Sequence, residues 1–130
     1  MRRFAVLLLV AAPFLAAPTI AAASHCAADL PHNGQSFSGP VRKVIDGMSL
    51  CLGDGPKAKR WIAVRLADLD APGLRGPGGE GAKWALRRAA GGKQIVCTAE
   101  HVEGRQVLAT CTVDGVSLAD LARKAAGNGG

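Results

Sequence analysis

Three strands, a helix, two strands and a second helix follow one another along the sequence. That order predicts an α+β fold, mainly β: a five-stranded OB-fold barrel with one helix between strands 3 and 4 and one C-terminal helix. Two further observations support it. Short stretches alternate apolar and polar residues between Gly, Pro, Asn and Asp turns, the mark of half-buried strands, whereas two other stretches repeat at helical spacing. The 130-residue chain also leaves about 107 residues once its leader is set aside, enough for one small core and too few for two domains, an eight-unit βα barrel or a repeat array.

The first segment, residues 1–23, reads as a signal peptide. Met1-Arg2-Arg3 is a basic start, Phe4 to Leu15 is apolar, and Ala21-Ala22-Ala23 supplies a small-residue cleavage pattern. Pro13 and Pro18 interrupt the apolar stretch, which argues against an uncleaved anchor. The mature chain is therefore expected to be exported, to a periplasm or the extracellular space, with no membrane attachment after cleavage.

Residues 24–38 are polar and hold the turn formers Pro31, Asn33 and Gly34, so they are expected to form an extended tail. Gly39–Asp46 is the first strand, with Val41, Val44 and Ile45, and it ends at the turn signal Asp46-Gly47. Ser49–Leu52 is the second, with Leu50 and Leu52 on one face. Gly53-Asp54-Gly55-Pro56 makes a turn into the third, Arg60–Leu69, whose Ile62, Val64 and Leu66 share a face. Pro72–Gly79 is an irregular Gly/Pro loop. Glu80–Ala90 is a helix with Ala82, Trp84, Ala85, Leu86 and Ala89 as its apolar residues, stopped by Gly91-Gly92. Lys93–Glu100 and Arg105–Val113 form a hairpin about Glu103-Gly104. Ser117 caps the last helix, which runs through Ala126 with Asp120 at the capping-box position; residues 127–130 are expected to be a disordered tail.

Export changes the meaning of the four cysteines. In a small exported domain they read as two disulfides, for which three pairings exist. None lies in a C-x-x-C pair, so a redox or zinc site is not indicated. Folding the hairpin about Gly104 sets Cys97 opposite Cys111, which favours Cys97–Cys111 and leaves Cys26–Cys51. Each bridge is worth on the order of 3 kcal/mol. The formal charge of +6 falls to +4 without Arg2 and Arg3, which permits an anionic partner without requiring one. Three Phe, two Trp and no Tyr leave little aromatic surface for stacking on bases.

Three motifs occur in order. Val44-Ile45-Asp46-Gly47-Met48-Ser49-Leu50, Val64-Arg65-Leu66-Ala67-Asp68-Leu69-Asp70-Ala71-Pro72 and Gly104-Arg105-Gln106-Val107-Leu108-Ala109 resemble the turn, the strand-plus-loop and the second arginine segment of the staphylococcal nuclease (thermonuclease-like) family. The resemblance covers residues 39–126 and implies the same OB-fold. The family cleaves phosphodiesters of DNA and RNA with Ca²⁺. Carried over by position, the resemblance implies Arg65 and Arg105 as the arginines that bind phosphate and the transition state, where a planar guanidinium fork suits phosphate oxygens. It implies Asp70 as a metal ligand, Ala71 as a backbone carbonyl beside it, and Asp46 as a supporting carboxylate.

Two positions depart from that pattern. Met48 stands where a second metal-binding Asp belongs, and Gly73 where the catalytic Glu belongs. A thioether does not replace a carboxylate for a hard cation, and loss of a general base costs about 10² to 10⁴ in rate. Glu103 also replaces the Tyr before Gly-Arg and brings a negative charge toward the phosphate position. The expected protein is thus a catalytically impaired exported relative that retains binding of DNA, RNA or another phosphate-bearing anion, with Ca²⁺ weakly bound or absent. A weak endonuclease using Arg65, Arg105 and Asp70, helped by Asp68 or Glu80, is the alternative. A disulfide-bonded module that binds a protein or glycan is the third reading. Glu80 reads otherwise as a first-turn helix acid, Arg65 as the partner of Asp70 or Asp46 in an ion pair, and His25, His32 and His101 as scattered surface residues.

Overall fold

The computed structural model describes residue 5, residues 8–13 and residues 25–128; the rest of the expected signal peptide, Ser24 and the last two glycines lie outside the described residues. The elements are β1 (Ser36–Val44), β2 (Ser49–Gly53), a 3₁₀ turn (Ala58–Arg60), β3 (Trp61–Leu66), α1 (Gly79–Ala90), β4 (Gln94–Glu103), β5 (Gln106–Val113), β6 (Val116–Ser117) and α2 (Leu118–Asn128). Antiparallel pairing runs β3-β2-β1-β4-β5-β6, and β5 also pairs in parallel with β3. This last pairing closes β1 to β5 into a mixed barrel of the OB type, with α1 between β3 and β4 and α2 at the end.

Closure requires β1 to change partners along its length. Ser36–Pro40 register against Thr98–Gln94 of β4, and Val41–Val44 against β2, with an irregularity between Val41 and Lys43. Such an irregularity bends a strand and increases its twist, as a barrel corner needs. At the corner a Cβ on Gly53 would come 2.4 Å from the Arg60 carbonyl oxygen, so only glycine lets the backbones approach.

The barrel interior is filled by alternate residues of every strand. Leu50, Leu52, Val64, Leu66, Ile95 and Val107 are fully buried. Leu86 and Ala90 of α1 and Leu118, Ala119 and Ala122 of α2 complete the same core. Burial of each large aliphatic side chain contributes about 1.5–3 kcal/mol. The helix faces follow the expected spacing except at Trp84, which is 46% exposed, its ring lying 5.0 Å beneath the Arg88 guanidinium carbon.

The disulfides are Cys97–Cys111 and Cys26–Cys51. Cys97 and Cys111 are direct partners in the β4–β5 register, with Cα atoms 4.1 Å apart, and both point into the main core. Cys51 points the other way. With Cys26 and Ala63 it makes a second buried cluster, against which Ile45 and Trp61 pack. Residues 25–35, expected as an extended tail, are therefore a strap across the outside of the barrel. Backbone bonds hold it: Ala27 N–H donates to the Ala58 carbonyl (2.9 Å), Ala28 N–H to Trp61 (3.0 Å) and Gly34 N–H to Ala99 (2.7 Å), while Ala99 N–H donates to Gln35 (2.9 Å).

Other boundaries shift modestly. Strand 1 begins at Ser36 rather than Gly39, because Ser36–Ser38 pair with β4 although their composition resembles a turn. Strand 3 ends at Leu66 rather than Leu69, and Leu69 stays buried from the loop. Ser117 Oγ accepts the Asp120 N–H as expected, but the Asp120 carboxylate pairs with Arg123 instead of completing a capping box. Gly127 and Asn128 belong to α2 rather than to a disordered tail. No helix among the described residues is long and apolar enough to cross a membrane.

Replacing Cys97 and Cys111 together by Ala removes a bridge of sequence separation 14. Urea unfolding of the oxidised variant is expected to show a loss of about 3 kcal/mol or more, since two core atoms are also lost.

Candidate functional site

The β1–β2 turn is built by its own side chain. Asp46 Oδ1 accepts the Met48 N–H at 2.9 Å, an Asx turn that offers the backbone a partner it would otherwise lack. The Met48 carbonyl then accepts the Leu66 N–H of β3 at 2.8 Å. Gly47, at the tip, is buried against α1 and the β3–α1 loop. A Cβ there would meet the Ala82 Cβ at 2.5 Å and the Ala71 Cβ at 2.7 Å. The turn carrying Asp46 and the loop carrying Asp70 are thus brought together. Gly47, Leu69, Asp70, Ala71, Ala82 and Arg123 are among the residues around a cavity of about 140 Å³ at this junction.

The residues at this junction do not suit a hard cation, which needs several convergent oxygen ligands. Asp46 bonds its own turn. Met48 is half-buried and packs against the main core. Gly73 presents only backbone, its carbonyl accepting the Gly76 N–H at 2.9 Å. Asp70 is exposed at the cavity rim. Among the described residues no three His, Cys, Asp or Glu side chains come together as a metal site. The cavity wall instead holds a cation. Arg123 of α2 donates to the Asp68 carbonyl at 2.8 Å and pairs with Asp120. Arg123 lies 55 residues beyond Asp68, and nothing in its local sequence marks it; only docking of α2 brings it here.

Arg65 and Arg105 occupy a different stretch of surface. Arg65 points outward from β3, opposite Ser49 of β2 and Leu108 of β5. Its Nη1 lies 3.9 Å from Glu103 Oε2, and Glu103 Oε1 lies 3.2 Å from His101 Nε2. The expected alternative partners, Asp70 and Asp46, are not the ones it meets. The Arg65 and Glu103 side chains are 34% and 49% exposed, so the pair contributes at most about 1 kcal/mol and is open to competition. Arg105 is exposed on the β4–β5 turn. With Gly104 and strap residues Cys26 to Leu30 it bounds a groove of about 390 Å³, so the strap's Asp29 shares a groove with Arg105.

The remaining expected residues lie apart. Glu80 is exposed in the first turn of α1, and Asp68 is exposed and engaged only through its carbonyl. His25 Nδ1 is 2.9 Å from Lys43 Nζ, and the His32 backbone N–H donates to Gln35 Oε1, far from His101 in the chain. No known protein-family model matches the chain, and no curated protein aligns significantly with it.

Gly47 and Gly73 offer a paired test of this geometry. Gly47→Ala is expected to cost about 1–3 kcal/mol by overpacking against Ala82 and Ala71. A Cβ on Gly73 meets nothing within 4 Å, so Gly73→Ala is expected to change stability by less than about 0.5 kcal/mol. Urea unfolding of both variants measures the contrast.

Proposed function

We propose that the chain is an exported, divergent staphylococcal-nuclease-like barrel that no longer cleaves phosphodiesters and uses Arg65 and Arg105 to bind a phosphate-bearing anion. The observation that carries this is the 3.9 Å contact of Arg65 with Glu103. A carboxylate of the protein itself rests on the guanidinium that the resemblance assigns to phosphate, at a site exposed enough for a stronger anion to displace it. The OB-type barrel and the ordered motifs support the family reading, and the donor set around Asp70 supports the loss of Ca²⁺ chemistry. With Met48 in the core and Gly73 lacking a side chain, neither a second metal carboxylate nor a base stands beside Asp70. Arg123 in the wall of the same cavity is already engaged by the Asp68 carbonyl and by Asp120. No catalytic step is derived for this chain.

The test is incubation of purified, oxidised protein with labelled single-stranded DNA, with Ca²⁺ or with chelator, alongside Arg65→Ala and Arg105→Ala. Cleavage is expected to be equal in the two conditions. Ca²⁺-dependent cleavage abolished by both substitutions would establish the weak endonuclease instead. In the same samples, fluorescence anisotropy is expected to show binding that weakens with salt, with each arginine substitution lowering the log–log salt slope by about 0.7. Absence of any salt-dependent binding would leave the protein- or glycan-binding module.

A further inference from the structure

An OB barrel offers oligonucleotides the outer face of strands 2 and 3 together with the β1–β2 and β4–β5 loops. In this molecule that face is covered by the chain's own N-terminal segment. Cys26 is bonded to Cys51 on the outer side of β2. Ala27 and Ala28 donate to the carbonyls of Ala58 and Trp61, leading into and opening β3. The strap then passes the β4–β5 turn, where Asp29 and Leu30 share a groove with Arg105. It ends on β4, where Gly34 and Gln35 bond Ala99. Trp61 and Ala63, the outward residues preceding Arg65 on β3, are packed against the buried disulfide rather than open to a ligand.

Arg65 contacts a carboxylate of the same chain, and Arg105 shares a groove with another. Glu103 contacts Arg65, and Asp29, on the strap, borders the groove of Arg105. One acid thus lies on Arg65, and a second acid lies with the strap backbone in the groove that Arg105 bounds.

Resting on the anion-binding reading above, we propose that residues 26–35 are an autoinhibitory strap. It is locked by Cys26–Cys51 over a latent single-stranded nucleic-acid face, with Glu103 and Asp29 acting as internal anions. Apparent affinity for a site that is open in only a fraction of molecules falls by that fraction. A strap held by a disulfide and four backbone bonds keeps the fraction small.

Affinity for a fluorescent single-stranded oligothymidylate is measured by anisotropy at fixed low salt for three oxidised proteins: the unaltered chain, Cys26→Ser/Cys51→Ser, and Glu103→Gln. The double variant is expected to bind at least about tenfold tighter. Amide exchange is expected to show the Ala27, Ala28 and Gly34 N–H groups deprotected and the β4–β5 core, still bridged by Cys97–Cys111, protected. Glu103→Gln changes an exposed side chain, leaves the strap and fold intact, and is expected to tighten binding about threefold to fivefold. If the unaltered chain binds as tightly as both variants, the strap proposal is overturned while the anion-binding reading stands. If neither variant binds although its barrel amides stay protected, the anion-binding reading itself fails and the strap proposal with it. Should the double variant lose barrel protection, Ala28→Pro takes its place, since it removes the strap's bond to the Trp61 carbonyl and keeps both disulfides: tighter binding supports the strap proposal and unchanged affinity overturns it.

Discussion

The burial of β2 on both faces is the constraint from which most of this structure follows. All five of its residues are buried. Leu50 and Leu52 face the barrel interior, as expected of a short alternating strand, but Cys51 between them is no more exposed than they are. A five-residue strand in a small barrel has nothing of its own to cover its outer side. The cover comes from the N-terminal segment, and the Cys26–Cys51 bond is what holds so short a segment in place. A domain of this size buries a limited fraction of its surface and commonly needs such cross-links. The second disulfide acts differently, joining register partners within the β4–β5 hairpin and filling core volume as well as shortening the unfolded chain's reach.

That arrangement links stability to the candidate site. The same strap that completes the second apolar cluster lies along the surface an OB barrel uses for ligands, so strengthening the fold and exposing the face are opposed requirements. On the far side of β3 the constraint is closeness rather than cover. Gly47 sits where no side chain fits, between Ala71 and Ala82. The small residues let the β1–β2 turn, the β3–α1 loop and α1 converge, and they leave a cavity of about 140 Å³ with a mostly apolar wall, one exposed carboxylate and one arginine.

Much of this was legible in the sequence, and what was not has physical reasons. Alternation identified the inward residues Val64 and Leu66 of β3 and Leu50 and Leu52 of β2, because period-two burial depends only on neighbours along the strand. The hairpin about Gly104 indicated the Cys97–Cys111 register for the same local reason. The strap was read as an extended tail although the Cys26–Cys51 bridge was expected, because its backbone bonds to Ala58, Trp61 and Ala99 leave no compositional trace. Trp84 was read only as one of the apolar residues of α1, and its half-exposed seat under Arg88 depends on tertiary geometry. At the candidate site, the departures of Met48 and Gly73 from the family pattern were visible by position, and Glu103 was read as a charge near the implied phosphate position, whereas its contact with Arg65 was not foreseen. Arg123 was not, since no motif joins α2 to the loop after β3.

On the reading proposed above, the departures at Met48, Gly73 and Glu103 are electrostatically coherent. A cation site and an anion site close together support each other: bound metal offsets carboxylate repulsion, and a substrate phosphate bridges metal and arginine. On the reading proposed above, loss of the metal carboxylates leaves the arginines with unbalanced positive charge in a chain that already carries a net excess of basic residues. Arg123 at the junction is engaged by the Asp68 carbonyl and by Asp120, and Glu103 contacts Arg65 on the other stretch of surface. On that reading, Glu103 supplies from within the chain the charge that a phosphate would bring. The Arg65–Glu103 and Arg123–Asp120 pairings are both exposed rather than buried. Exposed pairings of this kind yield to a multivalent anion, which a buried apolar core would not.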